Sequence, residues 1–143
     1  MIREVEFHTG VEAPVAFACR LLRKAVRAGA ALACTAEPAV LDELDRALWT
    51  FEERDFVPHV RMPGARPEVA ARTPVWLCGG DPAPAAGRVL VNLGAGVPGQ
   101  PEHFARLIEI VGAQEGLATA GRERWRHYRQ LGLEVRHHGP ARG

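Results

Sequence analysis

The chain has 143 residues, 47% hydrophobic and 24% charged, which predicts one core-burying globular domain and excludes wholesale disorder and a disulfide-stapled mini-protein. It contains no serine and a single lysine, Lys24, which excludes a serine-nucleophile hydrolase and a phosphate-binding loop of the GKT or GKS type. The formal net charge of +1 gives no general basic field, yet residues 121–143 carry six arginines against two acids, so the basic character belongs to the C-terminal end.

Residues 3–8 alternate acidic and apolar side chains (Glu4, Val5, Glu6, Phe7), the period of a half-buried strand that ends at Thr9 and Gly10. Residues 13–28 repeat apolar positions at helical spacing (Val15, Ala18, Cys19, Leu22, Ala25, Val26), and Gly29 closes that helix. The apolar run 30–35 fits a strand buried on both faces, and residues 37–51 return to helical spacing at Val40, Leu41, Leu44, Ala47 and Leu48. Pro58, Pro63 and Pro67 break the pattern, so residues 55–73 read as loop or irregular edge. Strands follow at 74–78 and 88–93, joined by a Gly/Pro/Ala linker over 79–87. A helix is then expected over 103–111 from Phe104, Leu107, Ile108 and Val111, with Pro101 near its start. Residues 112–121 interrupt the pattern before a last helix over about 118–131, a Gly132 cap and a final strand at 133–136. This alternation predicts a single-domain α/β fold over residues 1–137, an open mixed, largely parallel sheet with helices on both faces, and a flexible tail at 138–143. The apolar runs are too short to span a membrane and the N-terminus lacks a signal-peptide core, so a cytoplasmic protein is expected.

Gly94, Gly96 and Gly99 match the spacing of a dinucleotide-binding loop between a strand and an expected helix. Pro98 precedes the third glycine and no acid ends a following strand about 20 residues on, so a flexible connection is the better reading. His59, His103 and His127 are dispersed and lack the spacing of a closed metal site. Cys19, Cys34 and Cys78 are odd in number and far apart, which reads as reduced thiols, with Cys34 in the core. With no convincing nucleophile, base or cofactor cradle, the weight moves from enzyme to binding module.

Two constellations point to partners. Trp49 and Phe56 flank a charged turn after a helix whose core positions are already supplied by Leu41, Leu44 and Leu48. Arg122, Arg126 and Arg129 fall along one helical stripe with Trp125 beside it. Guanidinium forks with an aromatic platform suit an acidic peptide with an apolar end, and equally suit single-stranded DNA.

Across nearly its whole length the sequence resembles the chi subunit of bacterial DNA polymerase III. The segments VEFHTG, ALACTAEP and LDELDRALWTFEERDFVPH carry the likeness, together with GRERWRHYRQLGLEV in its register after FARLIEIVG. The resemblance implies a Rossmann-like sheet without a nucleotide site and an accessory subunit with no catalytic residue, metal or cofactor. In that family the subunit joins the clamp loader, through the psi subunit, to the acidic C-terminal tail of single-stranded DNA-binding protein, and so reaches DNA indirectly. By matching motifs, Trp49 and Phe56 fall on the psi-facing surface, which some members also offer to an accessory helicase. Val111, Arg122, Trp125 and Arg126 fall on the positions that hold the tail. A further basic position of the family falls on Ala118, which implies either a weaker charged grip or a charge supplied by Arg129.

Overall fold

Short apolar runs and long amphipathic segments alternate along the chain, and the computed structural model, which describes residues 2–50 and 56–139, follows them. β1 (Glu4–Val11) leads through α1 (Pro14–Arg27) to β2 (Leu32–Thr35), and α2 (Pro38–Thr50) leads to β3 (His59–Met62). The one-turn helix α3 (Pro67–Ala70) precedes β4 (Val75–Cys78) and β5 (Val89–Asn92). β6 (Arg106–Gly112), α4 (Glu115–Gln130) and β7 (Glu134–His138) follow, with 3-10 turns at Ala83–Ala85 and Pro101–His103. The strands form one seven-stranded sheet in the order β3-β4-β2-β5-β6-β1-β7, and every pairing is parallel.

The order dictates the layers. From β1 the chain steps through β2 to β3 at one edge, and every later connection steps back toward β7 at the other. Right-handed crossovers therefore place α1 and α2 on one face and α3 and α4 on the opposite face. Leu22, Leu41, Leu44 and Leu48 fill the first layer against Leu32, Cys34 and Ile110. Phe7, Leu90, Leu107 and Tyr128 fill the second. All four β2 residues are buried, as a central parallel strand requires. Cys19, Cys34 and Cys78 are buried free thiols; burial pushes Cys19 and Cys78 up to about 11 and raises Cys34 as well. Among the described residues, no helix is long and apolar enough to cross a membrane.

Four expectations are corrected. Residues 103–111 are not a helix, because Phe104 ends a 3-10 turn and Arg106–Gly112 is the central strand β6. Its positions Leu107 to Gly112 are all buried, and a strand covered on both faces shows an apolar run that three- and four-residue spacing also fits. The described part of 55–73 is not featureless, since it holds the edge strand β3 and the short α3. The last helix starts at Glu115 rather than 118, with Gly116 and Gly121 inside it. Position 138, expected in the tail, ends β7, where His138 stacks on His8 at 4.6 Å, and residues 140–143 lie outside those described.

The docking of α4 on the sheet depends on a carboxylate in the core. Glu109 of β6 is fully buried and accepts hydrogen bonds from Arg124 Nε at 2.9 Å, the Tyr128 hydroxyl at 2.6 Å and Asn92 Nδ2 at 2.9 Å. Burial pushes the Glu109 carboxyl up, and the Arg124 guanidinium and the Tyr128 and Asn92 hydrogen bonds pull against it. Beside this network α4 approaches β6 closely at Gly121, where a Cβ would meet Val111 Cγ1 at 2.6 Å. Tyr128→Phe deletes one donor from a buried acceptor and should lower the unfolding free energy by about 2 kcal/mol, measured by urea denaturation. Gly121→Val should cost about 2 kcal/mol in the same measurement through overpacking against Val111; no loss would show that α4 can lift off β6 freely.

Candidate functional site

The C-terminal ends of β1 and β6, together with β7, form a ledge on which the first half of α4 rests. Between helix and ledge lies a groove of about 310 Å³ lined by Phe7, Thr9, Val111, Ala118, Arg122, Trp125 and His137 among others. Val111 is buried and forms floor; Trp125 is half-buried, with its ring 5.1 Å from Phe7 and 5.5 Å, edge-on, from His137. Phe7 in turn meets Tyr128 at 5.9 Å in a T-shaped contact, which ties the aromatic wall of the groove to the core network. Arg122 is exposed, and its Nη2 donates to Thr119 Oγ1 at 3.1 Å, holding the guanidinium along the helix. The groove lining contains no acidic side chain. A cation beside an apolar, aromatic cleft is the donor set for an anion attached to a hydrophobic group.

The structure brings Val111, Arg122 and Trp125 together and does so with Ala118, where a short apolar methyl stands. Arg126 lies exposed one turn beyond Arg122 and outside the groove lining. Arg129 sits further along the helix, where it lines a separate shallow hollow with Leu133 and Val135. The sequence reading missed Phe7, Thr9 and His137 as groove residues. Their only signal is register: β1 pairs with β7 so that Phe7 stands opposite His137, and Thr9 Oγ1 lies 2.6 Å from His137 Nε2.

A second surface lies at the opposite edge of the sheet, beside β3. Trp49 is 63% exposed and Phe56 47% exposed, so neither belongs to the core. Their rings lie 4.9 Å apart, and both contact the ring of His59 at 5.2 and 5.8 Å. His59 is pinned from below by the Asp45 carboxylate at 3.0 Å and the Val57 carbonyl at 2.7 Å. An aromatic pair set on a fixed imidazole is a preorganised apolar patch of the kind that anchors protein interfaces.

The glycine-rich loop after β5 is folded on Asn92, whose side chain donates to the carbonyls of Ala95 and Gly96 and accepts from the Ala95 amide. It runs into a three-residue 3-10 turn and then β6, so the helix N-terminus that faces a pyrophosphate in a dinucleotide site is replaced by a strand.

Comparison with known proteins agrees with this architecture. The family model described as DNA polymerase III chi subunit, HolC, matches residues 2–136. The DNA polymerase III subunit chi of Pseudomonas aeruginosa is 36% identical over 123 residues, covering 85% of this chain and 82% of that relative. Since the family match runs from β1 into β7 and spans both the aromatic patch and the groove, the chain belongs to the DNA polymerase III chi subunit family.

Proposed function

We propose that this chain is a non-catalytic accessory subunit of the DNA polymerase III holoenzyme that joins the clamp loader, through psi, to the acidic C-terminal tail of single-stranded DNA-binding protein. The observation that carries the reading is the groove under α4, where the exposed Arg122 guanidinium stands over a cleft walled by Trp125 and floored by Val111. An acidic tail ending in a hydrophobic residue uses both parts, its carboxylates at Arg122 with Arg126 and Arg129 beyond, its apolar end against Val111 and Trp125. With Ala118 in place of a basic residue, Arg122 holds most of the charged grip at the groove itself.

Trp49 and Phe56 form the psi contact, a rigid aromatic anchor at the far edge of the sheet. An accessory helicase that uses this surface competes with psi. A short peptide covers less than the roughly 1,200 Å² of a stable interface, so the tail contact is weak, about micromolar, and many tails on one coated strand raise its effective concentration. DNA is reached through the coating protein.

Calorimetric titration with an acidic, Phe-ended peptide should show binding that weakens as salt rises. Arg122→Ala should weaken it about tenfold while melting temperature and psi affinity stay unchanged. Trp49→Ala should lower psi affinity by about 2 kcal/mol and leave the peptide untouched. Loss of both activities in either variant overturns the assignment of two separate sites. Tight binding of bare single-stranded DNA in place of the peptide would move the function to direct nucleic-acid binding.

A further inference from the structure

A larger hollow, about 600 Å³, lies on the opposite flank of α4 from the peptide groove. It opens at the C-terminal ends of β5 and β6, between the N-terminal half of α1, one side of α2 and the inner side of α4. This is where the fold reverses. β1 and β6 are neighbours, yet the chain leaves β1 into α1 on one face and β6 into α4 on the other. In open parallel sheets such a divergence leaves a crevice at the carboxyl ends of the strands, where small ligands bind. Val15, Val40, Leu93, Ile110 and Leu117 make its walls apolar.

One cationic side chain stands in that lining, which also carries the acids Glu12 and Glu43. Arg124 is only 8% exposed, and its Nε is spent on Glu109. Among the described residues no protein atom accepts a hydrogen bond from its Nη1 or Nη2. Four N–H donors of this guanidinium thus have no protein acceptor, and an anion entering the crevice would accept from them in place of water. Arg124 also lines the hollow under the glycine-rich loop, together with Gly94 and Ala120. The acids of the crevice, Glu12 and Glu43, are exposed on its α1 and α2 side, and they oppose a polyanion such as a nucleoside triphosphate.

We propose that this crevice binds a monocarboxylate with an apolar body, the carboxylate held by Arg124 Nη1 and Nη2 and the body lying against Leu93, Ile110 and Leu117. A free apolar acid and the C-terminus of an apolar peptide share this chemistry. The crevice shares Val111 and Gly112 with the peptide groove, but its cation is Arg124, and Arg122 takes no part in it.

Amide chemical shifts of the isotope-labelled full chain report the site. Octanoate should shift Gly94, Ile110, Leu117 and Ala120, and octanamide, which keeps the body and loses the charge, should bind about tenfold more weakly. Ala120→Trp fills the crevice one turn before Arg124, replaces no residue of the Glu109 network and should abolish the shifts; Arg122→Ala should leave them intact. Arg124→Lys keeps a cation near Glu109 but lacks the paired Nη donors, and should weaken octanoate while melting cooperatively. An acetylated Ala-Leu-Leu peptide with a free C-terminus separates the sources: tighter than octanoate, it marks a chain terminus, and weaker, a free acid. Binding of neither probe, equal binding of octanamide, or shifts confined to Phe7, Trp125 and His137 would overturn the proposal.

Discussion

Glu109 sits in an interior strand of the sheet with no access to water, and three elements must converge to satisfy it. Asn92 comes from the neighbouring β5, whereas Arg124 and Tyr128 come from α4, four residues apart on one helical face. A buried carboxylate is costly unless its partners are placed well, so this requirement fixes both the rotation and the axial position of α4. The rest of the helix follows from about 100° of turn per residue. With Arg124 and Tyr128 turned inward, Ala118, Arg122, Trp125 and Arg129 share the flank over β1 and β7, and Ala120, Glu123 and His127 share the other. Gly121 then falls against Val111, where the absence of a Cβ lets helix and strand meet. The groove is thus a consequence of how one carboxylate is buried, and Asn92 extends the same network into the loop after β5.

The strand order separates the two candidate interaction surfaces. The aromatic pair stands beside β3 at one edge, and the groove lies against β1 and β7 at the other. With neighbouring strands about 4.8 Å apart, six steps across the sheet span roughly 30 Å. The two surfaces therefore do not overlap, which the proposed linking role needs. Changes at the two surfaces should act independently for the same reason, since they share no side chain and no hydrogen-bond network.

The alternation that defines the α/β class was legible because α1, α2 and α4 have wide polar faces and β1 and β7 alternate. The central strand β6 was not. Phe104, Leu107, Ile108 and Val111 fit a helix by spacing, and only tertiary burial on both faces puts Leu107, Ile108 and Val111 in a strand. Misplacing that strand also hid Glu109, because a single acid in an apolar run carries no mark of partners 15 and 19 residues further on. β3 was masked by prolines that an edge strand tolerates at its ends. For the groove, Arg122 and Trp125 were legible as a stripe, whereas Phe7, Thr9 and His137 join it only through the parallel register of β1 with β7. Arg124 looked like its neighbours Arg122 and Arg126; burial alone distinguishes it.

All but one of the basic side chains are arginine, and at position 124 the difference from lysine matters. A lysine nitrogen beside Glu109 would spend its charge there, but the planar guanidinium engages Glu109 through Nε and keeps Nη1 and Nη2 in reserve for the crevice. The two hollows flanking α4 then differ in sign as well as in place. The groove is bounded by Arg122 and no acid, whereas the crevice is rimmed by Glu12 and Glu43. An acidic peptide that carries several negative charges would be repelled at the crevice rim, whereas the groove sets no acid against it. A ligand with a single carboxylate can pass that rim and pair with Arg124 inside. The same helix can thus offer guanidinium groups to two anions without confusing them, because the acids of α1 and α2 discriminate by total charge.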